Sequence, residues 1–114
     1  MSNKIDSFGT SYSYNKVNEK NPIVFIHGVG LTKEIWEPQI NFFKDYNTLT
    51  YDLLGHGKTP LKKSKVKIED FYKQLLKFSS LINLNNCLEK SSILTLDFFK
   101  GVFPCPNKSY TRVL

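Results

Sequence analysis

The chain has 114 residues, of which 40% are hydrophobic and 14% aromatic, and this composition argues against a disordered protein. Its net charge of +6 comes almost entirely from lysine, since Arg112 is the only arginine. Nucleic-acid readers rely on arginine for bidentate contacts, so we expect no nucleic-acid partner. One loop is rich in lysine, and we expect it to be solvent-exposed rather than a phosphate site: Lys58, Lys62, Lys63, Lys65 and Lys67.

Neither the cysteines nor any apolar run indicates an oxidising compartment or a membrane. Cys87 and Cys105 lack metal or redox spacing and are typical of reduced thiols. No apolar run approaches the ~20 residues that cross a bilayer, and residues 1–6 lack the core of a signal peptide. The sequence therefore predicts a soluble, cytoplasmic protein without a membrane partner or a metal site.

The first 30 residues predict two strands. Residues 8–17 alternate weakly, with Tyr12 and Tyr14 on one face, which favours an edge strand. Residues 22–26 form a short apolar run rich in β-branched side chains, typical of a strand buried on both faces of a parallel sheet. This strand ends at residues 27–30, where two glycines allow a tight backbone path.

Apolar residues at helical spacing predict two helices on either side of a strand at residues 48–51. Pro38 is compatible with the first helix only in its first turn. Glu69 and Asp70 lie near the N-terminal end of the second helix, where carboxylates are favoured. The first helix is marked by Ile35, Trp36, Gln39, Ile40, Phe43 and Tyr46, and the second by Ile68, Phe71, Leu75, Phe78 and Ile82.

The last predicted strand covers residues 93–96. The order strand, helix, strand, helix, strand implies right-handed crossovers and a parallel sheet. Residues 102–114 contain two prolines and little periodicity, so we expect one domain over residues 1–101 followed by an irregular C-terminal tail.

Three segments in this order resemble the α/β-hydrolase fold superfamily, in particular its esterase and enol-lactonase members. They are IVFIHGVGL at residues 23–31, WEPQ at residues 36–39 and YDLLGHGKT at residues 51–59. The resemblance spans roughly residues 9–101. It implies a partial α/β-hydrolase fold, with a mostly parallel sheet of about four strands, the His-Gly strand central, and flanking helices.

The resemblance implies an oxyanion hole in the backbone after the His-Gly strand. The N–H of Val29 would be the donor, while Gly28 and Gly30 let the backbone approach the substrate. Acyl transfer builds negative charge on a carbonyl oxygen, and fixed N–H dipoles stabilise that charge without reorganising. The alternative is that the two glycines only shape a strand-to-helix turn.

His27, Asp52 and His56 are interpreted as loop-bracing residues rather than catalytic ones. The two histidines are the only ones in the chain and are therefore tempting as general bases. The resemblance, however, places the catalytic histidine much later, after the nucleophile and the acid. It also implies that these three side chains brace loops by hydrogen bonding.

The pattern of the superfamily breaks where its nucleophile should stand. A G-x-S-x-G elbow is expected after residues 93–96, but the chain has Asp97 in place of the first glycine and Phe99 in place of the serine. Phenylalanine cannot attack a carbonyl. Ser91 and Ser92 precede the strand and lack the flanking glycines, so we do not expect either of them to act as the nucleophile.

These observations predict a chain of an ester or lactone hydrolase lineage with no intact catalytic triad, no cofactor and no metal. We interpret it as an inactive, truncated or degenerate fragment that keeps the oxyanion-hole segment. Intact members of the family act on small-molecule esters or lactones. The alternatives are a non-catalytic ligand-binding protein, and a half-enzyme completed by a partner chain that covers the exposed sheet.

Overall fold

The computed structural model describes residues 2–81 and 93–95, which form five strands, one 3-10 helix and two α-helices. In chain order these elements are β1 (Lys4–Ile5), β2 (Ser11–Asn15), β3 (Ile23–Ile26), a 3-10 helix (Lys33–Trp36), α1 (Glu37–Phe42), β4 (Thr48–Tyr51), α2 (Ile68–Leu81) and β5 (Ile93–Thr95). The four predicted strands are thus present as β2 to β5. The predicted tail at residues 102–114 lies outside the described residues.

The sheet is mixed, whereas a mostly parallel sheet of about four strands was predicted. Its strand order is β1-β2-β4-β3-β5. β3 is parallel to both β4 and β5, while β2 is antiparallel to β4 and β1 is antiparallel to β2. Parallel neighbours need a crossover of a dozen or more residues. The connection from β2 to β3 is much shorter and contains no helix, so the chain reverses direction there.

The prediction of an edge strand at residues 8–17 is wrong in its position. β2 lies between β4 and β1, and β1 is the edge. The chain returns from β1 to β2 through a turn that Asp6 closes, with its Oδ1 accepting hydrogen bonds from the N–H groups of Phe8 at 2.9 Å and Thr10 at 2.8 Å. Gly9 supplies the positive φ of 88° that this turn requires.

The connection from β2 to β3 is held by the buried side chain of Asn47. Its Oδ1 accepts hydrogen bonds from the N–H groups of Val17 at 2.6 Å and Asn18 at 3.0 Å. Its Nδ2 donates to the carbonyl oxygens of Asn18 and Lys20. One amide side chain before β4 therefore satisfies the polar backbone of a turn about 30 residues earlier in the chain.

One face of the sheet packs against α2. The helix buries Phe71, Leu75 and Phe78, while Ile68 at its start is exposed and Ile82 lies outside the described residues. The Phe78 ring lies 5.0 Å from that of Tyr12 and 5.1 Å from that of Tyr51, measured between centroids. The buried residues of this cluster are Val24, Ile26, Leu49, Tyr51, Leu53, Phe71, Leu75 and Phe78.

The opposite face packs against the 3-10 helix and α1. Phe25 and Trp36 are buried there with ring centroids 5.1 Å apart, and Ile40 and Phe43 pack on them. Pro38 lies in the first turn of α1, as predicted. Layers on both faces bury Val24, Phe25 and Ile26 of β3, which explains its continuous apolar run. None of the helices within the described ranges has the length and apolarity to cross a bilayer.

Candidate functional site

The candidate site lies at the carboxyl ends of β3 and β4. These strands are parallel neighbours, paired from Ile23 with Thr48 to Ile26 with Tyr51. The loops that follow them, residues 27–32 and residues 52–59, therefore leave the same edge of the sheet. In open α/β sheets this is the edge where ligands bind.

The first loop turns at Gly30, whose φ is +81°. The N–H of Leu31 donates to the carbonyl oxygen of Gly28 at 3.2 Å and closes the turn. A Cβ added at Gly30 would meet no atom within 4 Å. This glycine is therefore needed for its backbone conformation and not for a close approach by another atom.

His27, the residue directly after β3, is fully buried and joins the two loops. Its Nε2 accepts a hydrogen bond from the N–H of Leu53 at 3.0 Å, and its Nδ1 lies 2.8 Å from the carbonyl oxygen of Gly28. Burial lowers the pKa of His27 below its ordinary value of 6.5, because the charged imidazolium loses its hydration. The ring is therefore held in its neutral form.

His56 makes the reciprocal connection from the second loop to the first. Its Nε2 accepts a hydrogen bond from the N–H of Gly30 at 3.1 Å, and its Nδ1 lies 2.9 Å from the carbonyl oxygen of Leu54. The rings of His56 and His27 lie side by side, with centroids 5.2 Å apart. The two histidines thus tie the loops together at two points.

Asp52 is fully buried and forms the third connection between the loops. Its Oδ1 accepts a hydrogen bond from the N–H of Lys33 at 2.8 Å, and its Oδ2 accepts from the N–H of Lys58 at 3.1 Å. The ammonium of Lys33, also fully buried, lies 3.1 Å from the same Oδ2. This arrangement compensates the buried carboxylate by one cation and two backbone donors.

Glu34 is a second, exposed carboxylate partner of the Lys33 ammonium, at 2.9 Å. Partial burial alone would raise the pKa of Glu34. Hydrogen bonds from Thr32 and Lys33 outweigh that effect and lower the pKa to about 2. The start of the 3-10 helix therefore carries a charged Glu-Lys-Asp arrangement at neutral pH.

Gly57 leaves room for the Asp52 carboxylate. Its φ is +51°, and a Cβ added there would overlap the carboxylate, lying only 2.5 Å from Cγ of Asp52. Gly55 has a similar φ of +73°, but its added Cβ would meet only the side chain of Leu61, at 3.4 Å. Both glycines therefore have a positive φ that disfavours other residues, but only Gly57 also lacks the space for a Cβ.

We expect Gly57→Ala to destabilise the chain more than Gly55→Ala. Both variants force alanine into the left-handed region, which costs roughly 1–2 kcal/mol. Only Gly57→Ala also displaces the buried carboxylate and its hydrogen bonds. Urea unfolding followed by the fluorescence of Trp36 measures both changes, and equal losses of unfolding free energy for the two variants would contradict this account of Asp52.

Val29 lies between these connections and is exposed. The N–H groups of Gly30 and Leu31 are hydrogen-bonded, but that of Val29 has no hydrogen-bond partner in the part of the chain that the structure describes. The predicted oxyanion donor is thus an available N–H at the edge of the sheet formed by the carboxyl ends of β3 and β4. Its role, like the loop-bracing roles of His27, Asp52 and His56, remains a prediction that these contacts support.

The residues considered for the nucleophile cannot be placed in this site. Phe99, which occupies the expected nucleophile position, lies outside the described residues, as do Ser91 and Ser92. Across residues 2–81 and 93–95, no group of three or more His, Cys, Asp or Glu side chains is placed to hold a metal ion.

Two residues of the site were not predicted. Lys33 lies three residues before the buried Trp36 and seven before Ile40, so helical spacing could have placed it on the buried face. Gln74 of α2 accepts a hydrogen bond from the N–H of Leu54 at 3.0 Å and donates to the carbonyl oxygen of Asp52 at 3.0 Å. It lies beside Leu75 within the helix stripe, but no local pattern gives its partners.

Comparison with known proteins identifies relatives and similar folds. No family model matches the chain. A segment of 72 residues, 62% of the chain, is 35% identical to the (E)-2-((N-methylformamido)methylene)succinate hydrolase of Acinetobacter baylyi. The chain spans 27% of the length of that hydrolase.

Solved structures match a larger part of the chain at low sequence identity. A haloalkane dehalogenase from Bradyrhizobium elkanii matches 89% of the chain and 33% of its own length, with a TM-score of 0.72 and 13% identity. An α/β-hydrolase fold protein from Burkholderia ambifaria matches 82% and 33%, with a TM-score of 0.66 and 16% identity. The enol-lactonase of Burkholderia xenovorans matches 76% and 34%, with a TM-score of 0.61 and 20% identity.

Proposed function

We propose, from the premise that this chain has part of the α/β-hydrolase fold, that it supplies the oxyanion-stabilising segment of a hydrolase site and cannot by itself perform hydrolysis. The observation that carries the proposal is the N–H of Val29. It has no partner among the described residues, lies on a loop tied down on both sides, and stands at the edge of the sheet where ligands bind. A preorganised donor of this kind contributes about 2.7–4 kcal/mol to acyl-transfer transition states.

The bonding of the two histidines supports the absence of hydrolysis. A serine nucleophile needs a histidine nitrogen that is free to take up its proton. In His27 and His56, the only histidines of the chain, Nε2 already accepts a backbone N–H. At the position expected for the nucleophile the sequence has Phe99, whose side chain cannot attack a carbonyl.

The substrate class proposed for the complete site is a small ester, lactone or amide. The 35% identical relative from Acinetobacter baylyi is named as a hydrolase of an (N-methylformamido)methylenesuccinate, and one of the structural neighbours is an enol-lactonase. A formamide and a lactone each contain an acyl bond, and hydrolysis of such a bond passes through an oxyanion. The proposal extends this reaction class to the site to which residues 27–30 contribute.

We expect the purified chain to show no hydrolysis of p-nitrophenyl acetate above the buffer rate, and no covalent labelling by a fluorophosphonate probe. A serine esterase already known to react with the probe is the positive control for probe quality. A fluorophosphonate adduct mapped to any serine of this chain would overturn the proposal, because it would identify a nucleophile.

A half-enzyme completed by a second chain is the other candidate, because Nε2 of both histidines is already engaged and a general base would have to come from elsewhere. The chain matches only 27–36% of the lengths of the hydrolases it resembles. Co-expression with the part of the Acinetobacter baylyi hydrolase outside the matched segment should then restore turnover. No activity and no co-purification would count against this candidate while leaving the oxyanion-segment proposal intact.

A further inference from the structure

The hydrogen bonds of the two histidines determine which nitrogen carries the proton. At Nδ1 both rings face carbonyl oxygens, those of Gly28 and Leu54, which can only accept. At Nε2 both rings face backbone N–H groups, those of Leu53 and Gly30, which can only donate. Each ring must therefore be the neutral tautomer with its proton on Nδ1.

A second proton on either ring would break a connection between the loops. Protonated Nε2 becomes a donor that points at another donor, so its hydrogen bond is replaced by repulsion. For His56 the lost partner is the N–H of Gly30, the residue next to Val29. For His27 it is the N–H of Leu53 in the other loop.

We infer that His56 is a positioning residue for the Val29 N–H, acting through Gly30 only while its own imidazole is neutral, so that acid releases the oxyanion segment. The catalytic meaning of this release rests on the function proposed for Val29. The coupling between ring protonation and loop position does not depend on that proposal.

The charged and titratable groups around the rings are few. His27 faces His56, with Asp52 and Glu34 further off, and both carboxylates are paired with Lys33. On the side of α2, His56 faces the ring of Phe71, 6.4 Å away between centroids. No carboxylate is hydrogen-bonded to either imidazole among the described residues. Asp52 and Glu34 favour a second proton on His27 only through space, and burial outweighs them.

The expected direction of the pH effect on stability follows from His27. Burial holds its pKa in the folded chain below the ordinary 6.5, so between these two values the unfolded chain binds more protons. The contribution of the neutral ring is present in full above pH 6.5 and is lost as the pH falls through the folded-state pKa. Acid therefore weakens the connection at His27.

The test is a nuclear magnetic resonance titration of the 15N-labelled chain from pH 8 to pH 5, at a temperature where the chain is folded throughout. We expect the amide signals of Gly30 and Val29 to shift along a sigmoidal curve with the same midpoint as the ring signals of His56. Amides of β4, such as Thr50, serve as the internal control and should shift little. Ring titration without any shift of Gly30 and Val29 would overturn the inference.

Two variants at the same position separate the hydrogen bond from the shape of the ring. His56→Gln keeps an acceptor near the position of Nε2 but cannot be protonated, so the Gly30 and Val29 signals should stay close to their pH 8 positions over the whole range. His56→Phe keeps a flat ring without an acceptor and should give displaced, pH-independent signals. A sigmoidal shift that persists in His56→Gln would assign it to another group and contradict the role of His56.

The result is independent of hydrolysis. If a fluorophosphonate probe labelled a serine, the function proposed above would fail while the titration curves of Gly30 and Val29 would stand. If those amides did not follow His56, the positioning role would fail while the Val29 N–H could still bind an oxyanion. Should either variant not fold, the titration of the unmodified chain still decides the question.

Discussion

Lys33→Met should be among the most destabilising single substitutions in this chain. The Lys33 ammonium and the Asp52 carboxylate are both fully buried, 3.1 Å apart. Methionine replaces the stem of the lysine but leaves the buried carboxylate with backbone donors only. Removing one partner of a buried ion pair typically costs about 3–5 kcal/mol, a large share of the stability of a small domain. Urea unfolding followed by Trp36 fluorescence measures the loss.

The matched control for this prediction is Lys62→Met, which removes the same charge from an exposed loop position. We expect that variant to unfold within about 0.5 kcal/mol of the parent, as surface substitutions usually do. The double variant Lys33→Met/Asp52→Asn removes both charges and should be more stable than Lys33→Met alone. Equal stability of Lys33→Met and Lys62→Met would show that the ion pair contributes nothing.

Phe78→Ala should be similarly destabilising, for an apolar reason. Phe78 is fully buried, and its ring contacts those of Tyr12 in β2 and Tyr51 in β4, so one side chain joins α2 to two strands. Truncation of a buried phenylalanine typically costs about 3–5 kcal/mol, the transfer term plus the cavity left behind. Urea unfolding gives the free energy, and near-ultraviolet circular dichroism reports the tyrosine packing.

Ile68→Ala in the same helix is the control for Phe78→Ala, because 47% of the surface of Ile68 is exposed. It should cost much less, since little apolar area returns to water. A loss below about 1 kcal/mol for Phe78→Ala would mean that the aromatic cluster relaxes into the cavity. The contacts described for α2 would then not be the ones that stabilise it.

The function proposed for Val29 requires the backbone of its loop to be held in place. An oxyanion donor stabilises the transition state because its position is fixed before the charge appears. Here Asp52 and the two histidines fix the loop backbone on both sides of Val29. Burying the Asp52 carboxylate or the His27 ring without a partner would cost free energy. Here the carboxylate is paired with Lys33 and the ring accepts the N–H of Leu53.

Strand positions could be predicted because they depend on local patterns. The apolar run before His27 became β3, and the shorter run at residues 48–51 became β4. The helix stripe with Phe71 and Phe78 also predicted which face of α2 is buried. In each case the spacing of apolar side chains within one segment indicates both the element and the face that is buried.

The direction of strand pairing could not be read in the same way. β2 has an alternating pattern that fits either direction, and its antiparallel pairing with β4 joins residues that are far apart in the sequence, such as Tyr12 and Tyr51. The length of the connection between two strands limits their relative direction, but it does not identify which strand lies next to which in the sheet. This is why a mostly parallel sheet was predicted and a mixed one is found.

By itself, the sequence determined the main strands, the buried helix face, the glycine-rich loops and the resemblance to the α/β-hydrolases. Only the tertiary structure decided the mixed sheet, the burial of Lys33 against Asp52, and the proton position on His27 and His56. The physical reason is that periodicity is set by neighbours in the chain, whereas the partner of a buried charge or imidazole is set by whichever distant loop reaches the same edge of the sheet.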